Sequence, residues 1–206
     1  MTRLMYIAVI LVSYLIGCSN MALYISKYKG VDIRAKGSGN LGASNALVTM
    51  GWPAGVAVAL HDIGKAVLAV VLAKHFCPQL PLIGAIAGVS CVLGHIFPFY
   101  LRFKGGKGLA SFLGMTLALN WKFALVVFVL VALITLITDY IAVATLTTIV
   151  LVPGYMGIMY QSLSLVLILC VATVVILLKH RENLVRLCNG TEIGFRRANR
   201  GDDREN

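Results

Sequence analysis

The sequence predicts an all-α integral membrane protein with seven transmembrane helices, its N-terminus outside and its C-terminus cytoplasmic. Three observations carry that prediction. Of 206 residues, 59% are apolar and 13% charged, about half the charge of an ordinary soluble domain. The apolar residues fall in long blocks between short polar segments, and the mean hydropathy is +0.89, the pattern of consecutive membrane spans. The basic residues, finally, are strongly sided. No long polar region could fold as a second unit, so residues 1–195 are expected to form one membrane domain and residues 196–206 a polar cytoplasmic tail.

Residues 4–23 are apolar and long enough to span. A single Arg3 and the lack of a clean A-x-A site argue against a cleavable signal peptide. Residues 27–45 are polar. Residues 52–73 form the second span, which carries His61, Asp62 and Lys65. Such groups are costly in hydrocarbon and should face the bundle interior, where Asp62 and Lys65, three apart, can neutralise each other on one helix face. Pro78 and Pro81 break the chain before a third span at residues 82–98. A basic, Gly-rich stretch at 102–108 precedes a short fourth span, 109–119, which ends at Asn120-Trp121-Lys122. Residues 123–138 are the fifth span, bounded by Asp139. The sixth, 141–159, contains Pro153-Gly154 and is expected to kink there. Residues 162–178 are the last span.

With the N-terminus outside, fourteen Lys and Arg fall in cytoplasmic segments, three fall outside and Lys65 lies within a span. That asymmetry supports both the span count and the orientation. It accounts for the net charge of +10 without a nucleic-acid partner, and none is expected. The same orientation places three polar segments on one face: 37–45, 104–108 and 180–192. The five cysteines (Cys18, Cys77, Cys91, Cys170 and Cys188) show no CxxC spacing. They read as small core hydrophobes, with neither a disulfide framework nor a metal site expected.

Gly37-Ser38-Gly39-Asn40-Leu41-Gly42-Ala43-Ser44-Asn45 is either an ordinary loop or an anion cradle, because small residues let a turning backbone present its N–H groups. Lys104-Gly105-Gly106-Lys107-Gly108 places two cations and three glycines before a helix N-terminus, which suits a phosphate. It lacks Walker A spacing, and alone it reads first as a positive-inside anchor. His180, where the last span ends, has Asn183 one turn beyond and Arg186 close by. A lone His at a helix end reads first as an interfacial residue, and His95 alone reads as structural.

Together three segments resemble one family. Gly37-Ser38-Gly39-Asn40-x-Gly42-Ala43-x-Asn45 is similar to its first motif. Gly94-His95-x-Phe97-Pro98, followed by Phe103-Lys104-Gly105-Gly106-Lys107-Gly108, is similar to its second. His180-Arg181-x-Asn183-x-x-Arg186-Leu187-x-x-Gly190-x-Glu192 is similar to its third. The family is the bacterial acyl-phosphate-dependent glycerol-3-phosphate acyltransferases of the PlsY type. The resemblance implies a seven-span enzyme of the cytoplasmic membrane with its site on the cytoplasmic face. It would move a fatty acyl group from acyl phosphate to the sn-1 hydroxyl of glycerol 3-phosphate, giving lysophosphatidic acid for phospholipid synthesis.

By motif position, Ser38, Lys107, His180 and Asn183 would bind the acceptor phosphate or position the reacting groups. Gly37, Gly39, Asn40, Gly42, Ala43 and Asn45 would cradle the donor phosphate. His95, Lys104, Gly105, Gly106, Gly108, Thr145, Arg186 and Glu192 would complete the substrate-binding set. The donor is already activated, so no cofactor or metal is expected. The general base is either a substrate phosphate oxygen or His180. The partners implied are the two substrates and the bilayer.

The sequence departs from the family pattern in places. Val48 stands where the first motif is typically followed by Arg, and Thr138-Asp139-Tyr140-Ile141-Ala142 stands where Thr-Arg-Tyr-x-Ser is common. One lost charge-assisted hydrogen bond weighs roughly 1.5–3 kcal/mol against glycerol 3-phosphate as acceptor. Two alternatives therefore stand beside the main reading. One is a family paralogue that uses acyl phosphate with another acceptor. The other is an anionic-lipid binding or transport protein, against which the chain has no obvious internal repeat and gathers its polar segments at one face.

Overall fold

The computed structural model describes residues 1–196, so most of the expected polar tail lies outside the described residues. Those residues form an all-helical chain. Helix α1 (Thr2–Cys18) and helix α2 (Met21–Tyr28) divide what reads in sequence as one apolar segment. The cause is local: Asn20 is extended, and its side chain accepts the Leu23 N–H at 2.9 Å, capping a new helix. Helix α3 (Ala43–Met50) starts inside the stretch expected to be polar loop, so its first turn is built from the end of the Gly-rich motif. It stops at Gly51, whose φ of 89° suits glycine, and α4 (Trp52–Phe76) follows with Pro53 in its first turn.

Helix α5 (Ile83–Ile96) leads through a 3-10 turn (Phe99–Leu101) to α6 (Leu109–Leu119). Asn120 both ends α6 and caps α7 (Trp121–Thr138), its side chain accepting the Phe123 N–H at 3.0 Å. Helix α8 (Ile141–Tyr160) continues unbroken through Pro153. Helix α9 (Leu163–Lys179) meets α10 (Arg181–Cys188) at a bend of 50°.

The helices are arranged for a bilayer. Among the described residues, five helical segments are long and apolar enough to cross it, with α1 and α2 counted together, and six if α9 and α10 form one bent span. Helix α6, at 11 residues, rises about 16 Å against a hydrocarbon core of about 30 Å. The outer faces are apolar: α7 exposes Leu125, Val129, Leu133 and Leu136, and α9 exposes Leu163, Leu167, Val171 and Val174. Such stripes would be a liability in water and are the required surface in lipid.

Helix α5 is the axis of the bundle and packs against α1, α4, α6 and α9. Its contact with α1 is backbone to backbone. A side chain at Gly17 would overlap the Cys91 carbonyl, and one at Gly94 would overlap the Tyr14 carbonyl, the small-residue packing that lets membrane helices approach closely. Around α5 the interior is filled by Val92, Ile96, Phe112, Met115, Ile149, Met156, Leu169 and Ile176.

Asp62 and Lys65 of α4 are buried, as expected, and His61 is half-buried, while Lys74 and His75 near the end of the helix are exposed. The Lys65 ammonium lies 2.7 Å from Asp62 Oδ1. It also donates to the Ser19 carbonyl at 2.7 Å, in the break between α1 and α2. His95 of α5 completes the cluster, its Nδ1 2.9 Å from Lys65 and 3.3 Å from Asp62.

Candidate active site

Three loops that are far apart in sequence meet at one end of the bundle. The first is shaped by Asn45, buried in the first turn of α3. Its Nδ2 donates to the carbonyls of Ile33, Lys36 and Asn40 at 3.0, 3.3 and 2.9 Å, and its Oδ1 accepts the Ser38 N–H at 2.9 Å. That amide is thus committed to the loop itself and works as its frame. Gly37 has φ 55° and sits against the same Oδ1, leaving no room for a side chain.

The second loop lies across the C-terminal end of α5. The Gly105 N–H donates to the Ile96 carbonyl at 3.0 Å and the Gly106 N–H to the His95 carbonyl at 3.2 Å. A side-chain carbon at Gly106 would overlap the His95 imidazole. His95 therefore supports the glycine loop from below, joined on its other side to Lys65 and Asp62.

The third loop is the corner between α9 and α10. His180 Nδ1 lies 2.8 Å from the Ile176 carbonyl. A carbonyl can only accept, so in the neutral ring Nδ1 carries the hydrogen and Nε2 is left as a free acceptor. Burial lowers the pKa of His180 below its ordinary 6.5, which keeps the ring neutral at pH 7. One turn on, Asn183 Oδ1 accepts from Lys107 Nζ at 2.5 Å. Asn183 Nδ2 donates to Glu192 Oε1 at 2.5 Å, and Arg186 Nε donates to Glu192 Oε2 at 2.6 Å. Burial, with the nearby Arg186, lowers the Lys107 pKa, against the opposing pull of Glu192 and Glu182.

These loops enclose a cleft of about 410 Å³. Its polar side carries Ser38, Asn40, Lys107, His180, Asn183 and Arg186. Its apolar side carries Leu47, Val48, Leu109, Ile141, Ile193 and Phe195. The first turns of α3, α6 and α8 all reach it, through Ala43-Ser44, Leu109-Ala110 and Ile141-Ala142. None of these three helices has a side-chain N-cap. Side-chain caps occur on α2, α7 and α9 (Asn20, Asn120 and Ser162), whose first turns do not line the cleft; α1, α4 and α5 are also uncapped, so what distinguishes α3, α6 and α8 is that their free ends converge on it. Uncapped first-turn N–H groups lack an acceptor, and the helix dipoles add positive potential. Three such ends around one cleft, with Lys107 and Arg186, make a site for anions.

The residues expected from the sequence fall into groups. Gly37, Ser38, Asn40, Gly42, Ala43, Asn45, Lys107, Gly108, His180, Asn183, Arg186 and Glu192 all line this cleft. Thr145 lines it from α8, with its hydroxyl donating to the Ile141 carbonyl at 2.9 Å. His95 and Asp62 form part of its floor. Gly39, Gly105 and Gly106 face an adjoining cleft of about 430 Å³, shared with Ser38, Asn40, Lys107, Lys179 and Arg181. Lys104 is exposed and lines neither cleft. Sequence reasoning missed Ile193 and Phe195. Their only signal is two large apolar residues in an otherwise polar stretch.

The arrangement can hold a phosphorylated molecule that also has an apolar part, and it offers a neutral imidazole near a half-buried lysine. Comparison with known proteins agrees with that chemistry. Residues 7–190 match the family model described as glycerol-3-phosphate acyltransferase. A curated glycerol-3-phosphate acyltransferase of Prochlorococcus marinus (strain MIT 9312) is 38% identical over 91% of this chain and 96% of its own length. One of Geotalea daltonii is 34% identical, covering 93% of this chain and 98% of its own. Two crystal structures of PlsY (YgiH), an integral membrane glycerol 3-phosphate acyltransferase, superpose closely. The glycerol 3-phosphate form has a TM-score of 0.86 at 31% identity over 92% of this chain and 95% of its own. The lysophosphatidic acid form has 0.84 at 30%, over 94% and 97%. With sequence, fold and an anion-binding cleft in agreement along nearly its whole length, the chain belongs to the glycerol-3-phosphate acyltransferase family.

Proposed function

We propose that this protein is a membrane acyltransferase that moves a fatty acyl group from acyl phosphate to the sn-1 hydroxyl of glycerol 3-phosphate, giving lysophosphatidic acid. The observation that carries the reading is the convergence of three uncapped helix N-termini, Lys107 and Arg186 on one cleft that also has an apolar wall. Donor and acceptor are both anions, and the donor is amphiphilic. The reaction needs them held together, the hydroxyl aimed at the carbonyl carbon, and the developing oxyanion stabilised. Backbone N–H groups around Gly42 and Gly108 hold phosphate oxygens. Lys107 stabilises the oxyanion or the departing phosphate. Asn183 fixes the Lys107 ammonium, and Glu192 fixes Asn183. Phosphate leaves when the tetrahedral centre collapses. The hydroxyl proton goes to a donor phosphate oxygen or to the free Nε2 of His180.

The wider frame of this reading is a single domain, residues 1–195, in the cytoplasmic membrane of a bacterium. It has seven spans, its N-terminus outside and the cleft on the cytoplasmic side. The siding of the basic residues supports the orientation. Helix α6 counts as a short seventh span. Its rise of about 16 Å from Gly108 to the Asn120 boundary then places the cleft floor at membrane depth, where an acyl chain can reach it from the bilayer.

The test is direct assay of purified protein with palmitoyl phosphate and labelled glycerol 3-phosphate. Labelled lysophosphatidic acid is expected. Consumption of palmitoyl phosphate without that product overturns glycerol 3-phosphate as acceptor, and no consumption at all overturns the transferase.

A further inference from the structure

We propose that Asp139 is a positioning residue for this reaction: it anchors the segment 191–196 across the cleft, and through Glu192 that segment holds Asn183 and Lys107 in register. The inference rests on the acyltransferase reading above. Asp139 ends α7 in the left-handed region, at φ 68°. Its backbone carbonyl accepts the Phe195 N–H at 2.6 Å, and its carboxylate Oδ1 accepts the Arg196 N–H at 2.8 Å. The Arg196 guanidinium reaches past it to the Leu136 carbonyl at 2.6 Å, satisfying an acceptor at the end of α7. Gly194 lies against the same carboxylate, where any side chain would overlap Oδ2. The other end of the segment is tied by the Thr191 N–H to the Arg186 carbonyl at 2.8 Å.

Glu192 and Ile193 run between these ties and Phe195 sits at one of them; all three line the cleft. Residues 191–194 have no helical hydrogen bonding of their own, so their place over the cleft depends on the ties. Glu192 is the member that matters most. Its two oxygens orient Asn183 and Arg186, and Asn183 in turn holds the Lys107 ammonium. The anion at position 139 does not line the cleft. It faces the backbone N–H and guanidinium of Arg196, so the acid that stands where the family pattern commonly has Arg is engaged within the protein and not with a ligand in the cleft. Conversely, loosening the segment frees Glu192 from one side and lets Asn183 and Arg186 drift.

The test pairs kinetics with hydrogen exchange. Asp139→Gly removes the carboxylate and keeps the left-handed backbone; Asp139→Asn keeps an Oδ1 that accepts from Arg196; Gly194→Ala wedges the segment off the carboxylate without altering either partner. Asp139→Gly and Gly194→Ala should speed exchange in the C-terminal peptide containing Arg196. They should raise the KM for glycerol 3-phosphate about tenfold, with the melting temperature in detergent unchanged. Asp139→Asn should stay near wild type in both. Unchanged exchange in Asp139→Gly overturns the anchor. Faster exchange with wild-type KM and kcat overturns the positioning role, and so does a uniform loss of melting temperature in all three variants. If the wild-type protein transfers no acyl group to glycerol 3-phosphate, the acyltransferase reading falls instead, and the exchange result still decides whether Asp139 holds the segment.

Discussion

His180 and Lys107 show how one cleft tunes two neighbouring basic groups differently. Burial disfavours the charged form of each, so both pKa values are lowered. For His180 the consequence is neutrality at pH 7, with Nε2 open because Nδ1–H is held by the Ile176 carbonyl. The folded state favours the unprotonated ring. Its contribution to stability is therefore full above the ordinary 6.5 and is lost as pH falls below that value. Activity that uses Nε2 as an acceptor should follow the same limb: flat above neutrality and falling on acidification. His180→Gln should abolish that limb together with most of kcat. An acid limb that survives in His180→Gln would assign the proton to a donor phosphate oxygen. Lys107 behaves differently: its shift starts from the lysine range, and the nearby Glu192 and Glu182 oppose it by favouring the charged form. Lys107→Ala removes one charge-assisted hydrogen bond to substrate, worth roughly 1.5–3 kcal/mol, so kcat/KM should fall by about tenfold to a hundredfold. The melting temperature should not move, since Lys107 is only half-buried. A variant with wild-type turnover would remove Lys107 from the mechanism.

At the scale of elements, the α1–α2 break, the middle of α4 and the end of α5 act as one unit because Lys65 binds all three. Removing Lys65 alone leaves the Asp62 carboxylate buried without its cation, a change that costs about 3–5 kcal/mol. Lys65→Met should therefore destabilise strongly in a detergent melt, while Lys65→Met with Asp62→Asn should recover most of the loss. Equal loss in both would show that the ion pair does not hold these helices together. Much of this unit was legible in advance. The i, i+3 spacing of Asp62 and Lys65 in an apolar run gave their pairing and their inward face, since the alternatives in hydrocarbon are too costly. The local half of the helix break at Ser19, the Asn20 cap, lies in the sequence; the partner of the freed carbonyl, a side chain 46 positions away, is not legible there. Helix α3 was missed for a related reason: its first turn is polar, and only the amide of Asn45, turned back onto three loop carbonyls, shows why it starts there. The three motif loops were legible as a set because topology alone brings them to one face. The part played by Asp139 was not, since its partner lies 57 positions on, in a stretch without a periodic pattern.

For the whole molecule, what decides the topology is helix α6. Among the described residues, five or six segments are long enough to cross a bilayer on length and composition, and α6 is only 11 residues. If α6 crosses, the two termini lie on opposite sides; if it does not, a six-span chain brings them to the same side. The charge distribution favours crossing, because fourteen of the basic residues gather on one side only when the parity is odd. The flanks agree: Asn120, Trp121 and Lys122 sit at the far end of α6, where an amphipathic interfacial belt belongs. Cysteine labelling separates the two topologies. Cys188, in the last turn of α10, is exposed, whereas Cys18, Cys77 and Cys91 are buried. A variant whose only cysteine is Cys188 should resist a membrane-impermeant maleimide in intact spheroplasts and react after permeabilisation. A variant with all five native cysteines replaced, carrying Thr2→Cys, should react from outside. Labelling of both positions from one side would mean that α6 turns back within the membrane. It would also remove the ground for placing Gly108, at the start of α6, at the depth at which an acyl chain can enter from the bilayer.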